Sequence, residues 1–250
     1  MSALHIAAIL AAGVAAGAIN TVVGSGTLIT FPVLLAFGYA PVVANVSNTV
    51  GLVPGSVAGA LGYRQELRGQ RRRTLALAVP SVAGAIAGAI ALLSLPASAF
   101  KTIVPVFIAI ALVLIVLQPR LSRALASRHP PAHERAGPPA TLAVFGSGVY
   151  GGYFWAAQGI LLLSILGLAV DDDLQRINAL KVVLAGIVNL VAGVIFVFAA
   201  HVSWLPAALI AAGSTAGGVL GARGGRRLPP WALRAVIVLV GIGAIVRLVA

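Results

Sequence analysis

Long apolar runs constrain the fold of this sequence more than any other feature. Runs of about 18 or more residues with few charges recur near 43–63, 74–95, 98–118, 178–200, 203–222 and 230–249. A helix of about 20 apolar residues crosses the hydrocarbon core of a bilayer, because it satisfies its backbone hydrogen bonds internally. The mean hydropathy of +1.06 lies well outside the range of soluble domains. The sequence therefore predicts an all-α polytopic membrane protein.

The basic residues lie mainly in short loops between the apolar runs. A formal net charge of +12 would suit nucleic acid if the bases formed one continuous face, but these do not. An excess of Lys and Arg in cytoplasmic loops is typical of membrane proteins. We expect a multi-pass protein of the cell membrane that contacts lipid and has no nucleic-acid partner. There is no cysteine, and the two histidines that lie four residues apart, His129 and His133, fall in the Pro-rich linker and not on a predicted helix, so the sequence predicts no metal and no cofactor.

A shift of 133 residues aligns the two halves of the sequence without gaps. The shift pairs Gly26 with Gly159, Asn45 with Asn178, Gly84 with Gly217, and Pro96 with Pro229. Glycine pairs alone would carry little weight in a chain with 29 glycines, but asparagine and proline recur at the same shift. We interpret the chain as two homologous membrane repeats, 1–118 and 140–250, joined by a basic, Pro-rich cytoplasmic linker at 119–139.

The basic loops alternate between the two halves. The first half carries "YRQELRGQRRR" at 63–73, and the matching loop of the second half has no Lys or Arg. The second half carries "ARGGRR" at 222–227, one segment later, where the first half is uncharged. By the positive-inside rule the repeats face opposite ways, so each crosses the membrane an odd number of times.

The leading segments, 3–38 and 140–170, are too long for one span and tight for two. The expected helix breakers are Gly24, Gly26 and Pro32 in the first half, and Gly146, Gly148, Gly151 and Gly152 in the second. Broken backbone at membrane depth is tolerated only inside the protein or along a cavity, so we expect the breaks at its centre. The prediction is two inverted-topology repeats, each a pair of short or re-entrant helices plus three transmembrane helices, with 8–10 membrane helices in total.

Polar side chains cluster on the helix after each break. In the first half they fall within "VVANVSNTVG", 42–51. The shift places Asn45 on Asn178, Asn48 on Lys181, and Ser56 on Asn189. Offsets of 0, 3 and 11 residues share one helix face, so we expect two polar stripes that converge near a pseudo-twofold axis.

Lys181 is a cation in an apolar run, which costs several kcal/mol unless the side chain pairs, snorkels or faces water. Two interpretations stay open: snorkelling to the inner surface, or a counter-charge for an anion. The five carboxylates all fall in predicted loops or at a helix start, which disfavours a cation pathway. For the acidic run 171–173 we expect a helix N-terminal cap.

An anion site is therefore the better supported prediction. The predicted ligands are Asn45, Asn48, Thr49, Gln158, Asn178, Lys181 and Asn189, with backbone N–H groups freed at Gly24, Gly26, Gly151 and Gly152. The alternative for the uncharged residues is hydrogen bonding that only packs helices together.

Three stretches resemble the TauE/SafE sulfite exporter family, also called the toluene sulfonate uptake permease group. They are "AGAINTVVGSGTLITFPVLLAFGYAPVVANVSNTVG", "GSGVYGGYFWAAQGILLLSILGL" and "RINALKVVLAGIVNLVAG". The resemblance implies a transporter of small sulfur-containing anions such as sulfite, sulfonates or sulfoacetate. One departure is "GGYFWAAQG", where the family often has a more glycine-rich turn, so an altered site would bind a different anion.

We therefore expect a permease that works by alternating access between the two repeats, and not an enzyme. The alternatives are a non-transporting membrane scaffold or assembly factor, and an anion channel. The sequence leaves open the anion, the direction of transport, a coupling ion (proton or sodium) and the formation of a homodimer.

Overall fold

The computed structural model describes residues 2–126, 137–224, 238–239, 241–246 and 248. The described residues form helices and no strands, which confirms the all-α class. Nine helices have both ends within the described ranges: α1 (Ala3–Val22), α2 (Thr27–Ala36), α3 (Pro41–Gly62), α4 (Arg71–Ser94), α5 (Ala97–Ala126), α6 (Pro138–Tyr153), α7 (Gln158–Ala169), α8 (Leu174–Ala199) and α9 (Trp204–Gly224).

Five of the described helices are long and apolar enough to cross a bilayer: α1, α4, α8, α9 and the part Ser98–Arg120 of α5. Helix α3 has 22 residues, but its polar side chains keep it out of this group. Helices α2 and α7 are short, with 10 and 12 residues. The prediction that both leading helices of the first half are short is wrong, since α1 has 20 residues. Its breakers lie beyond Val22, which leaves the whole helix uninterrupted.

Helix positions in the two halves correspond at the 133-residue shift. Helix α3 starts at Pro41 and α8 at Leu174, and helix α4 starts at Arg71 and α9 at Trp204. Both pairs of helix starts are 133 residues apart. The opposite orientation of the halves in a bilayer stays a prediction.

The predicted linker begins inside a helix, because α5 runs on through Pro119 to Ala126. A proline removes one backbone hydrogen bond without necessarily ending a membrane helix, since neighbouring groups can satisfy the freed carbonyl. The predicted linker also ends inside a helix, since 138–139 begin α6. Residues 127–136 of the linker and most of the last predicted span, 230–249, lie outside the described residues.

Helices of one half pack closely against helices of the other. Helix α1 packs on α9, and α6, the counterpart of α1, packs on α4, the counterpart of α9. A Cβ atom at Gly17 would lie 2.2 Å from the Ser214 carbonyl oxygen. A Cβ atom at Gly88 would lie 2.1 Å from the Val149 carbonyl oxygen. Small residues thus let the backbones approach, and the two halves interlock through two equivalent helix pairs.

Candidate functional site

Two helix breaks cross in the interior of the protein. Residues 23–26 separate α1 from α2, and residues 154–157 separate α6 from α7. The N–H of Gly159 donates to the carbonyl of Gly24 at 3.1 Å, and a Cβ atom at Gly24 would lie 2.4 Å from the Gly159 Cα. The residues of both breaks are buried, as expected for breaks at the centre: Ser25, Phe154, Ala156 and Ala157 are all 0% exposed. We call this region the crossing.

The backbone turns the same way in both breaks. Gly24 has φ 91° and Ala157 has φ 61°, and 24 + 133 = 157. A positive φ costs glycine little, whereas an alanine held there is strained. The second break therefore keeps the geometry of the first without its glycine, which is the departure visible in the stretch "GGYFWAAQG".

The glycines do not supply free backbone donors, contrary to the prediction. Gly151 and Gly152 lie inside α6, where their N–H groups belong to the helix. A Cβ atom at Gly152 would lie 2.4 Å from the Ala85 carbonyl oxygen, so this glycine serves close packing on α4. Gly146 and Gly148 are also within α6, and Pro32 lies within α2.

In the first break the donors are already engaged. The Gly24 N–H donates to the Ile19 carbonyl at 2.9 Å, and the Gly26 N–H donates to the Asn20 Oδ1 at 2.6 Å. Sequence reasoning missed Asn20, although a lone amide in an apolar run four residues before a glycine break was a usable signal.

Asn45 and Asn178 make equivalent contacts across the halves. The Asn45 Nδ2 donates to the carbonyl of Tyr153, the last residue of α6, at 3.0 Å. The Asn178 Nδ2 donates to the carbonyl of Thr21, in the last turn of α1, at 3.4 Å. The last carbonyls of a helix lack intrahelical partners. Each amide thus caps the broken helix of the opposite half, so the polar stripes meet the breaks rather than each other.

Asn48 and Thr49 are satisfied within the first half. The Asn48 Nδ2 donates to the Thr27 hydroxyl at 3.1 Å, and its Oδ1 accepts from the Thr30 hydroxyl. The Thr49 hydroxyl donates to the Asn45 carbonyl at 3.0 Å. The two bonds of Asn48 join α2 to α3, the Thr49 bond lies within α3, and all three occupy side-chain groups that were predicted to bind an anion.

The Lys181 side chain is fully buried, with 0% exposed, so it does not snorkel to a surface in this structure. Its Nζ lies 3.5 Å from the carbonyls of Asn20 and Thr21, longer than a normal N–H···O bond. These carbonyls end α1, where the helix dipole favours a cation. Neither ion pair within the described residues includes Lys181. An ammonium has three donors, so its hydrogen-bonding capacity is poorly used.

Several buried polar atoms near the crossing have no hydrogen-bond partner among the described residues. They are Ser25 Oγ, Asn45 Oδ1, Tyr153 Oη, Trp155 Nε1, and Gln158 Oε1 and Nε2. Ser25 and Gln158 are equivalent under the shift, and both are 0% exposed. Buried polar groups are nearly always paired with protein or ordered water, so these atoms are available to a water molecule or a polar ligand.

A small cavity meets this group only at Trp155, and its other lining residues are Asn20, Thr21, Gly24, Ser56, Val182 and Ala185. Its volume of about 10 Å³ is roughly that of one water-sized sphere. Asn189 lies apart, about 16 Å further along α8 than Asn178. Both of its amide atoms are also buried and unpaired, but the structure does not bring it to this cavity.

A charge cluster joins the halves at the end that carries the loop 63–73. Arg73 Nη1 lies 2.8 Å from Asp172 Oδ2, and Arg176 Nε lies 2.7 Å from Asp172 Oδ1. Burial opposes ionisation of Asp172, but hydrogen bonds from the two arginines outweigh it and lower the pKa of the carboxyl below its usual value. Asp173 accepts the Gln175 N–H at 2.8 Å, which confirms the predicted cap of α8.

Comparison with known proteins identifies the group to which this architecture belongs. The sequence profile described as "Sulfite exporter TauE/SafE" matches residues 9–248, nearly the whole chain. The chain belongs to the TauE/SafE sulfite exporter family. Among the proteins similar to this chain, "Probable membrane transporter protein ORF9" from Sinorhizobium sp is 28% identical over 254 residues, 99% of this chain and 94% of that protein.

A second relative, "Probable membrane transporter protein YfcA" from Escherichia coli (strain K12), is 26% identical over 215 residues, 85% of this chain and 76% of that protein. No solved structure matches the chain. The TauE/SafE match, the relatives and the apolar helices together identify a multi-pass membrane transporter.

Proposed function

We propose that this transporter carries a small sulfur-containing anion across the cell membrane and binds it at the crossing, with Lys181 as the counter-charge. The observation that carries the proposal is the environment of the Lys181 ammonium. It is fully buried, it forms neither of the ion pairs within the described residues, and its two carbonyl contacts are both at 3.5 Å.

The charge balance favours an anion. A buried cation without a counter-charge costs several kcal/mol, and two long carbonyl contacts offset only part of that cost. An oxyanion would supply the missing charge and accept hydrogen bonds from neighbouring donors. The unpaired donors near the crossing are the Gln158 amide, the hydroxyls of Ser25 and Tyr153, and the Trp155 indole. Sulfite, a sulfonate or sulfoacetate has the charge and the oxygens for these groups, and the matched family profile is named for sulfite export.

Alternating access is the mechanism that this arrangement favours. The crossing lies between two interlocked helix pairs, α1 with α9 and α6 with α4. Rocking one pair against the other would open the crossing to one side at a time. The Arg73–Asp172–Arg176 cluster would hold one end closed and part when that end opens. A proton or sodium ion as the coupling ion, and a homodimer, remain predictions.

The test compares two lysines. Lys181 and Lys101 are the two lysines of the chain, and Lys101 is exposed on α5. In proteoliposomes, we expect Lys181→Met to reduce sulfite or sulfonate uptake at least about tenfold, a loss of roughly 1.4 kcal/mol of binding. Lys101→Met is the control and should transport at the wild-type rate. Both variants should elute as the wild type does in size-exclusion chromatography.

Three outcomes would contradict the proposal. If Lys181→Met takes up the anion at the wild-type rate, Lys181 is not its counter-charge. A second outcome concerns vesicles that are loaded with the unlabelled anion. If the internal anion does not accelerate uptake, a channel is favoured, because only a carrier exchanges substrates. No uptake of any anion by the wild type, with a large stability loss in Lys181→Met, would favour the scaffold.

A further inference from the structure

A groove of about 580 Å³ lies between α3 and α8, and the transport proposal does not use it. Its α3 wall includes Val57 and Leu61, and its α8 wall includes Val183 and Leu190. The α8 lining residues from Val182 to Leu190 share one helix face, so the groove extends for about 12 Å along the helix. Its walls are therefore long and largely apolar.

The rim of the groove faces outward. Val57 is 51% exposed, Leu61 is 63% exposed and Leu190 is 47% exposed. In a membrane protein, exposed apolar side chains on helices within the bilayer contact lipid chains rather than water. The groove therefore opens sideways to the hydrocarbon core.

One end of the groove is cationic. Arg64, Arg68 and Arg71 line it there, and all three side chains are exposed. Both ion pairs recorded for the described residues involve Asp172, with Arg73 and with Arg176, and neither includes Arg64, Arg68 or Arg71. Arg64 follows the end of α3 at Gly62, and Arg71 begins α4. These are the ends of membrane helices, the level at which lipid headgroups lie.

We propose that this groove is a binding site for an anionic phospholipid, with one acyl chain between α3 and α8 and the headgroup phosphate on Arg64, Arg68 and Arg71. The apolar walls of the groove match an acyl chain, and its cationic end matches a phosphate. A small free anion would leave the apolar wall unoccupied, and a lipid without net charge would not complement the three arginines at the end of the groove. The ligand would touch the two helices that carry Asn45, Asn178 and Lys181.

The headgroup is tested by native mass spectrometry of the full chain in detergent. Dioleoylphosphatidylglycerol and dioleoylphosphatidylcholine have the same acyl chains, and we expect the first to bind at least about tenfold more tightly. An arginine near a membrane surface contributes about 1 kcal/mol, which corresponds to roughly fivefold in affinity. Arg71→Gln should therefore weaken phosphatidylglycerol binding roughly fivefold. Arg72→Gln is the control, because Arg72 is exposed beside it but does not line the groove.

The acyl chain is tested with a second pair of variants. Val183→Trp would fill the groove and should weaken binding of both lipids at least about tenfold. Val194→Trp is the control, since Val194 lies on the same helix, 49% exposed and outside the groove. Glycerol phosphate, a headgroup without chains, should not displace phosphatidylglycerol at about a hundredfold excess.

Four results would each overturn the proposal: equal binding of the two lipids, equal effects of Arg71→Gln and Arg72→Gln, unchanged binding in Val183→Trp, or displacement by glycerol phosphate. The last would identify the occupant as a free anion. If Val183→Trp fails to fold, the arginine pair still decides, because both side chains are exposed and their replacement leaves the helix packing intact.

Discussion

The close approach of the two helix breaks predicts how three glycines differ in their tolerance of a methyl group. At Gly24 a Cβ atom would lie 2.4 Å from the Gly159 Cα, and φ is 91°. Gly24→Ala therefore combines a backbone clash with conformational strain. Alanine at positive φ costs about 1–2 kcal/mol, and an added methyl in a tightly packed interior costs about 1–3 kcal/mol. We expect Gly24→Ala to lower the free energy of unfolding by about 2–5 kcal/mol.

Two other glycines separate these contributions. Gly38 has φ 84° and nothing within 4 Å of an added Cβ, so Gly38→Ala measures the strain alone. Gly159 does not have a positive φ, and its Cβ would lie 2.5 Å from the Gly24 Cα, so Gly159→Ala measures the clash alone. The loss in Gly24→Ala should be close to the sum of the other two.

The assay is unfolding of the purified protein in mixed micelles with increasing dodecyl sulfate, followed by circular dichroism. Each variant's loss is taken from the shift of the transition midpoint at constant slope. A loss in Gly24→Ala no larger than that in Gly38→Ala would refute the close crossing of the two breaks. The reasoning would also fail if Gly159→Ala were neutral, because the clash is mutual.

Two further predictions concern polar groups inside and outside the crossing. The Gln158 amide is buried without a partner, so Gln158→Leu should leave the unfolding midpoint unchanged or raise stability by about 1 kcal/mol while it lowers transport; a large stability loss would contradict the unpaired state. Asp172→Asn should cost about 1–2 kcal/mol at neutral pH, because Arg73 and Arg176 lose a charged partner. The lowered pKa of Asp172 means that its contribution is present above the usual pKa of an aspartate and disappears as pH falls through the folded-state value. Thermal unfolding of both proteins should therefore converge below about pH 4, and a constant difference down to pH 2 would refute the ion-pair role.

Much of the helix layout could be read from local pattern. The apolar runs near 74–95, 178–200 and 203–222 became α4, α8 and α9 with ends within a few residues. The Asp173 cap was also readable, since an acidic run directly before an apolar run is a local signal. The glycine-based break positions in the second half were wrong, because α6 accommodates Gly151 and Gly152 and the chain turns instead at Ala157.

The candidate site was only half predictable. The 133-residue shift identified Asn45, Asn178 and Lys181, and all three are buried polar residues in the structure. Their hydrogen-bond partners could not be predicted from the sequence. Sequence reasoning missed Asn20 and the role of Asp172 between two arginines. Asn48 and Thr49 share the polar stretch with Asn45, yet their hydrogen bonds stay within one half.

The sequence by itself determined that this is an all-α membrane protein, because long apolar runs can satisfy their backbone groups in a bilayer only as helices. It also determined the 133-residue correspondence of the helices. Only the tertiary structure decided which groups meet. Asn45 reaches Tyr153 across 108 residues, and Lys181 reaches Asn20 across 161. Such contacts depend on how helices of different halves cross. Glycines at the crossing set the distance between the two helix breaks, because their backbones touch. The periodicity of residues along one helix therefore cannot predict which residue of the other half lies opposite.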